Sequence, residues 1–452
     1  MRCIITYMLK LPDYVAQFMK SFTDAGYEIF VVGGSVRDLL LKKSVNDWDF
    51  ATAATPEEIL KLYPKGFYNN TFGTVGIEMK DKQIFEVTTY RHEGEYKDSR
   101  RPDDVTWATT IEEDLARRDL TINAIAYDGK KIVDPYDGQV DIEKKIIRAV
   151  GDANVRFGED ALRLLRAVRI ATELGFTIEE NTQKAISANA SLITNIAQER
   201  IRDELLRIIT SDLPAEGILL ARECGLLAHI LPELDRCFEI SQISPKRHHI
   251  YDVGTHCVMA LKYCPSSDPI TRLAALLHDI GKYDTFKKDP DTEIITFYNH
   301  EVVGAHLAAQ IADRLHLSKV QKDKLVMLVR HHMFSVSEEQ TDKAVRRFIT
   351  AVGRENIQDM LAVRTGDRIG SGATPTSWRL ELFIKRLTEV QKKPFDLTDL
   401  KITGRDVMNE LKLKPGPQIG KILNAIFEKV VEDKIKNEKK ALLIEVKKLA
   451  KD

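Results

Sequence analysis

Gly33-Gly34-Ser35-Val36-Arg37-Asp38, with Asp47-Trp48-Asp49 shortly after it, sets a glycine turn close to an acidic doublet. The preceding Ile29–Val32 reads as a buried β-strand, the glycine pair as a tight turn, and Ser35-x-x-Asp38 as a capping box that opens a helix. Unpaired N–H groups at such a helix start, beside glycines that let a ligand approach the backbone, make a seat for a triphosphate. Placed on a strand, Asp47 and Asp49 point to the same face, because side chains alternate with period two. Two oxygen ligands on one face suit Mg²⁺, which takes one or two carboxylates and completes its shell with water and phosphate. Alone, a glycine turn or a surface Asp pair is commonplace. In this order the two imply a nucleotidyl-transfer site.

The chain around this segment has 452 residues, too many for one core, and roughly three structural units are expected. Its apolar content is that of a soluble globular protein, and no apolar run approaches membrane-spanning length, so no membrane partner is expected. The opening Met1–Leu9 is short for a signal peptide and lacks a small-residue cleavage pattern; Met8 serves equally well as the start. Cys3, Cys224, Cys237, Cys257 and Cys264 are scattered and without CxxC spacing. They point to reduced thiols in a cytoplasm, and away from disulfides or a cysteine-rich zinc site. With a net charge of −1, any nucleic-acid partner has to be met by local patches.

Up to about residue 150, short β-branched runs alternate with turn signals and two helical segments, an α/β pattern. From Arg156 onward helical period takes over, over Glu159–Leu174, Thr182–Ala190 and Ala197–Thr210 first. Breaks fall at Pro245-Lys246-Arg247, at Gly370-Ser371-Gly372-Ala373-Thr374-Pro375 and at Lys414-Pro415-Gly416-Pro417. The final Lys434–Asp452 segment interleaves lysines with Ile435, Leu442, Ile444, Val446 and Leu449, as in an amphipathic helix.

Five further groups of residues carry chemistry. In the expected strand Ile84–Arg91, Glu86 shares a face with Ile84 and Thr88 and reads equally as a third metal-side carboxylate or as a cross-strand ion partner. The Tyr96–Asp103 segment is charged and proline-broken, either a solvated loop or an element that orders around substrate. In Asp114–Ala124, Arg117 and Arg118 stand beside Asp119 and Asn123, a helix that presents guanidinium groups to phosphate or ribose, with Asn123 on a sugar hydroxyl. A structural Arg–Asp pair is the plainer alternative. In Glu159–Arg169, Asp160 and Arg163 fall at helical spacing on one face. An acceptor beside a donor fork fits the pairing edge of cytosine or adenine, whereas guanine and uracil offer a carbonyl where Asp160 needs a hydrogen. Arg166 and Arg169, one turn deeper, would reach triphosphate or hold Asp160; an i,i+3 salt bridge is the common fate of such a pair. Further on come His256, His278-Asp279, His300, His331-His332 and Asp367. An Asp next to His on an apolar helix is rarely buried unless paired or ligating. Imidazoles and carboxylates together bind a mid-row divalent ion such as Mn²⁺, Ni²⁺, Co²⁺ or Zn²⁺.

In this order, Gly33-Gly34-x-Val36-Arg37-Asp38 with Asp47-x-Asp49, Arg100-Arg101-Pro102-Asp103, Arg117-Arg118-Asp119-x-x-Ile122-Asn123-Ala124 and Glu159-Asp160-x-x-Arg163 resemble the bacterial tRNA nucleotidyltransferase and poly(A) polymerase family. The His256…His278-Asp279…Asp367 set resembles the HD phosphohydrolase domain of some members, and Ile402–Gly420 their C-terminal segments. The resemblance implies an α+β fold: a polymerase-β-like nucleotidyltransferase head (1–150), then a helical neck and body (151–244), an HD domain (245–390) and a helical, RNA-binding tail (391–452). It implies Mg²⁺ on Asp47 and Asp49 with Glu86 beside them, and triphosphate on Gly33, Gly34, Arg37 and Asp38. Arg117 or Arg118 with Asp119 and Asn123 would take sugar and phosphates. Asp160 and Arg163 would be the amino-acid template for CTP and ATP, with Arg166 and Arg169 nearby. His256, His278, Asp279 and Asp367 would hold the HD metal; the parts of His300, His331 and His332 stay open. The Tyr96–Asp103 loop resembles the element that switches C to A addition, so full CCA addition to the tRNA 3′ end and acceptor arm is expected. A poly(A) polymerase or an A-only member is the alternative, a phosphohydrolase with a decayed head or a plain tRNA-binding module the remoter ones. Leu120 replaces a common Phe, a change expected to be silent. Oligomeric state is left open.

Overall fold

Ile29–Val32 (β1) is apolar on both faces because both are covered. Ile29 and Val31 pack into the main core, and Phe30 and Val32 into a second cluster with Tyr90, Leu115 and Ala126. The computed structural model describes residues 9–69, 73–80, 82–93, 105–242, 250–334, 337, 341–392, 397–431 and 434–449. After β1 come Trp48–Thr52 (β2), Phe67–Asn69 (β3), Thr74–Glu78 (β4), Ile84–Thr89 (β5), Arg91–Glu93 (β6), Val105–Trp107 (β7), Ala126–Tyr127 (β8) and Ile132–Val133 (β9). Seven of them form one sheet in the order β3-β4-β5-β2-β1-β8-β9, while β6 and β7 pair separately. Only β2 and β5 run parallel within the large sheet, and their register sets Asp49 beside Glu86. The expected strand Ile84–Arg91 thus splits, its last residue passing to β6.

Beyond the large sheet the chain is mainly helical, with two short strand pairs, Ile146–Ile147 with Thr177–Ile178 and Lys287–Lys288 with Ile295–Thr296, in the α+β class expected. The single helix expected over Glu159–Leu174 is two, Ala153–Glu159 and Leu162–Leu174. Asp160 is extended between them (φ −137°, ψ 105°), and its side chain accepts from the Leu162 N–H, which starts the second helix. The other two expected helices appear as Glu180–Asn189 and Gln198–Thr210. Val253–Lys262, Pro269–Leu277, His300–Arg314, Lys319–His331 and Ile357–Gly370 then gather the histidines. The last of these ends at the Gly370 break, and Pro417–Val431 begins at the Pro417 break. Both the Pro245-Lys246-Arg247 break and the Tyr96–Asp103 loop lie outside the described residues. The amphipathic tail helix spans Lys439–Leu449 and buries Leu442 and Val446. No helix among the described residues is long and apolar enough to cross a membrane.

Candidate active site and metal centre

The helix after the glycine turn, Gly34–Leu40, begins at Gly33, whose φ of +68° is open to a residue without Cβ. A Cβ there would also stand 2.9 Å from Arg118 Nη1, so the guanidinium occupies the space that the glycine leaves. The expected capping box does not form, and among the described residues no side chain caps this helix. Ser35 is used elsewhere. Its Oγ donates to the Asp47 carbonyl (2.9 Å) and accepts from the Asp49 N–H (3.2 Å), stapling the start of β2 to the helix. Asp38 Oδ1 accepts from Arg37 Nε at 2.9 Å. Asp47 precedes β2 instead of lying in it, so strand alternation holds only for Asp49.

Asp49 sits between Gly33 and Glu86. Burial pushes its carboxyl up to about 6 against Arg118, with Glu86 and Asp47 adding to the push and Arg166 opposing it. Carboxylates that crowd each other this way are relieved by a proton or by a cation. Among the described residues, Glu86 makes no ion pair across the sheet, and its partner on β2 is the acid Asp49.

The arginines are pre-set by acids. Asp114, fully buried, accepts from Arg117 Nε and Nη2 (2.9 and 2.7 Å) and from Arg118 Nη2 (3.1 Å). A relay then crosses the wall of the site. Arg37 Nη1 donates to Asn123 Oδ1 (2.9 Å), Asn123 Nδ2 to Asp119 Oδ1 (3.2 Å), and Arg166 Nε to Asp119 Oδ2 (2.8 Å). Burial would raise the Asp119 pKa, but Arg166, Asn123 and Arg163 outweigh it and hold the carboxyl far below the usual range.

Asp160 and Arg163 do not pair with each other as their spacing implied. Asp160 Oδ2 accepts from Arg200 Nη2 at 2.9 Å, and Arg163 Nη1 donates to Glu159 Oε2 at 2.6 Å. The helix break at Asp160 separates the two side chains from a common helical face. Arg169 neither reaches Asp160 nor faces the site. It is buried between the Leu162–Leu174 and Gln198–Thr210 helices, on Glu204 and Glu173. Asp114 and Arg200 escaped sequence reasoning. Asp114 had a signal, its spacing of three and four from Arg117 and Arg118; Arg200, 40 residues from Asp160, had none.

The second centre gathers four imidazoles and two carboxylates from five helices and their ends. His256 Nε2 lies 3.2 Å from Asp279 Oδ2 and 3.4 Å from Asp367 Oδ1; His278 Nε2 lies 3.2 Å from the same Asp279 oxygen. Against the cost of burial, Asp279 and Asp367 raise His256 to about 9. His278 closes the Pro269–Leu277 helix instead of lying within it. Lys282, also unforeseen, is buried with Nζ 2.6 Å from Asp279 Oδ2. Two groups able to hold a divalent ion stand side by side: His256, His278 and Asp279, and Asp279, His300 and His332. His331 is in neither. A cavity of about 480 Å³ opens beside them, lined by Lys282, Tyr298, His300, Arg364 and Asp367 among others.

A mixed sheet with paired carboxylates, a helical neck and a histidine–aspartate centre define a nucleotidyltransferase with an HD domain. The Poly A polymerase head domain family matches residues 29–148, the HD domain family residues 248–359, and tRNA nucleotidyltransferase domain 2 residues 319–446. A CCA-adding enzyme of Pediococcus pentosaceus is 33% identical over 436 residues, 96% of this chain and 97% of that one. A Bacillus stearothermophilus CCA-adding enzyme, crystallised with CTP, has a TM-score of 0.70 at 27% identity, over 97% of both chains. A Thermotoga maritima CCA-adding enzyme in complex with tRNA shares the fold, with a TM-score of 0.62 at 18% identity, over 98% of this chain and 97% of that one. This chain belongs to the CCA-adding enzyme family.

Proposed function

We propose that the chain adds C, C and A from CTP and ATP to the 3′ end of tRNA without a nucleic-acid template, releasing pyrophosphate at each addition. The observation that carries this reading is the register of Asp49 beside Glu86 under Gly33 and Arg118, joined through Arg37, Asn123 and Asp119 to Arg166 of the neck. Asp47 and Asp49, with Glu86 beside them, hold Mg²⁺, which supplies charge neutralisation at the reacting phosphates when bound. Gly33, Gly34, Arg37 and Arg118 receive the triphosphate, with Arg117 beside them, and Asp38 and Asp114 orient the guanidiniums. Asp119 and Asn123 act as positioning residues that align this wall with the neck. Asp160 accepts the exocyclic amino hydrogens of cytosine or adenine and Arg163 donates to the neighbouring ring acceptor; Arg200 and Glu159 orient the two.

The chain divides, in this reading, into head (1–150), neck and body (151–244), HD domain (245–390) and tail (391–452), the helical parts gripping tRNA by shape and phosphate. The HD domain, through His256, His278, Asp279 and Asp367, holds a mid-row divalent ion and hydrolyses a phosphate ester: water adds to phosphorus, the ester P–O bond breaks and a proton passes to the leaving oxygen. The chain's four described cysteines are free thiols, in keeping with a cytoplasmic location.

The test is incubation of the protein with tRNA lacking its terminus, Mg²⁺ and each labelled NTP. Incorporation of CTP then ATP, and loss of it in Asp47→Ala, is expected. Arg163→Ala is expected to lose discrimination between C/A and G/U more than rate. Incorporation of GTP or UTP as readily as CTP refutes base selection by Asp160 and Arg163, and repeated AMP addition without use of CTP identifies a poly(A) polymerase instead.

A further inference from the structure

We propose that the exposed ring of Phe67 is a platform on which the 3′-terminal base of the tRNA stacks while its hydroxyl is extended; this rests on the polymerase reading of the head. Directly opposed residues of neighbouring strands share a face of the sheet. One row therefore crosses four strands on the side of the acids. Asp49 of β2 stands beside Glu86 of β5, Glu86 beside Gly76 of β4, and Gly76 beside Phe67 of β3. Gly76 leaves its place in the row bare, and a Cβ there would run into the Phe67 ring, so the ring is laid over β4 toward Glu86. Covering a glycine accounts for one side of the ring. The other side is open: Phe67 is 54% exposed, whereas Val75, Phe85 and Val87 on the opposite face of the sheet are buried.

The direction of the chemistry names the ligand. Gly33 follows β1, and Arg37 and Arg118 gather at it, so the triphosphate groups lie on the β1 side of Asp49. Attacking and leaving oxygens stand roughly in line in phosphoryl transfer, so the acceptor hydroxyl comes from the side away from pyrophosphate. That side is β5, β4 and β3. With strands about 4.8 Å apart, a ring over β4 lies about 5 Å beyond the strand of Glu86. A terminal nucleotide with its 3′-hydroxyl at the acids spans that gap with its ribose and lays its base on the ring.

The surface suits a base better than a phosphate. Glu78, exposed and two residues from Gly76, shares the face with Glu86, so an anionic backbone is repelled there while an uncharged ring is not. Stacking asks only for a π-face and tolerates any base. An acceptor end whose last base changes as C and C are added needs that tolerance.

Steady-state kinetics with tRNA lacking its terminus separates the two substrates. Phe67→Leu keeps the apolar bulk without the ring, and is expected to raise the KM for tRNA roughly tenfold while leaving the KM for CTP unchanged. Phe67→Trp is expected to restore the parent value. An unmoved KM for tRNA in a Phe67→Leu protein that melts like the parent overturns the platform, as does an equal rise in both KM values. A second measurement needs neither a variant nor turnover. Shortened tRNA ending in 5-iodocytidine is bound to the parent protein without nucleotide and irradiated, and the crosslinked peptide is identified by mass spectrometry. Attachment at Phe67 is expected; attachment only outside β3 overturns the platform. Attachment at Phe67 in a protein that incorporates neither CTP nor ATP upholds the platform and refutes the polymerase reading. Incorporation of CTP with attachment only elsewhere does the reverse.

Discussion

Asp119 is buried yet ionised, because Arg166, Asn123 and the Leu120 N–H all donate to it. An isolated carboxylate at that depth would hold its proton; here the donors outweigh burial and the folded pKa lies well below the ordinary 3.8. The sign of the linkage follows. The stabilisation is present in full above the unfolded value and is lost as pH falls from there through the folded value. Asp119→Asn is therefore expected to cost about 2 kcal/mol at pH 7, moderated by the partial exposure of Arg166. Urea titrations of both proteins at pH 7 and pH 3 would check it: the gap should narrow by about 1 kcal/mol at the lower pH. An equal gap at both would mean that Asp119 is neutral in the fold. At this scale the sequence marks the charged residues but not their protein partners. Asp119, expected on sugar and phosphates, accepts from Leu120, Asn123 and Arg166. Asp160 looked like the mate of Arg163 and is held by Arg200, because pairing across helices leaves no trace in local spacing.

At the scale of elements, periodicity carried most of the reading. β1 was legible from four apolar residues and the later helices from their 3.6-residue period, whereas the break at Asp160 was not, since Glu159–Leu174 keeps that period through it. The parallel β2–β5 register, which makes Glu86 a neighbour of Asp49, is a tertiary fact that no alternation pattern encodes. Helix approach is likewise invisible from composition, and Gly281 is the instance with a consequence. A Cβ there would stand 2.2 Å from the His300 carbonyl and 2.5 Å from the Gly304 N–H, both backbone. Gly281 thus lets the His300–Arg314 helix come close enough to bring His300 within 3.2 Å of Asp279. In Gly281→Ala that helix has to shift, at an expected cost of about 2–3 kcal/mol. Urea titration of the variant beside the parent checks it, and equal stability of the two would show that the approach of these helices does not set the centre.

Across the whole molecule, one hydrophobic cluster runs from Val15 in the head through the neck to Val363 in the histidine centre. Leu205 and Ile209 of the neck and Leu276, two residues before His278, belong to it, so head, neck and HD centre share packing. The tail differs. Among the described residues, Leu400, Val407, Ile422, Ile426, Leu442 and Val446 form a cluster of their own, and the Arg354–Asp399 ion pair, at 3.6 Å and half-exposed, is a weak tie to the rest. Segments with separate cores open separately, each with its own free energy. Amide hydrogen exchange is accordingly expected to find Val407, Ile422 and Ile426 opening at least 2 kcal/mol more easily than Leu205, Ile209 and Leu276. Metal adds a second criterion, because an ion that binds only the folded centre raises the opening free energy of whatever unfolds with it. Saturating Mn²⁺ should increase protection around His256, His278 and Asp367, spread it through the neck that shares their core, and leave the tail unchanged. Exchange of the tail at the same rate as the neck, with the same response to Mn²⁺, would mean that the two clusters unfold as one and that the boundary between them carries no thermodynamic weight.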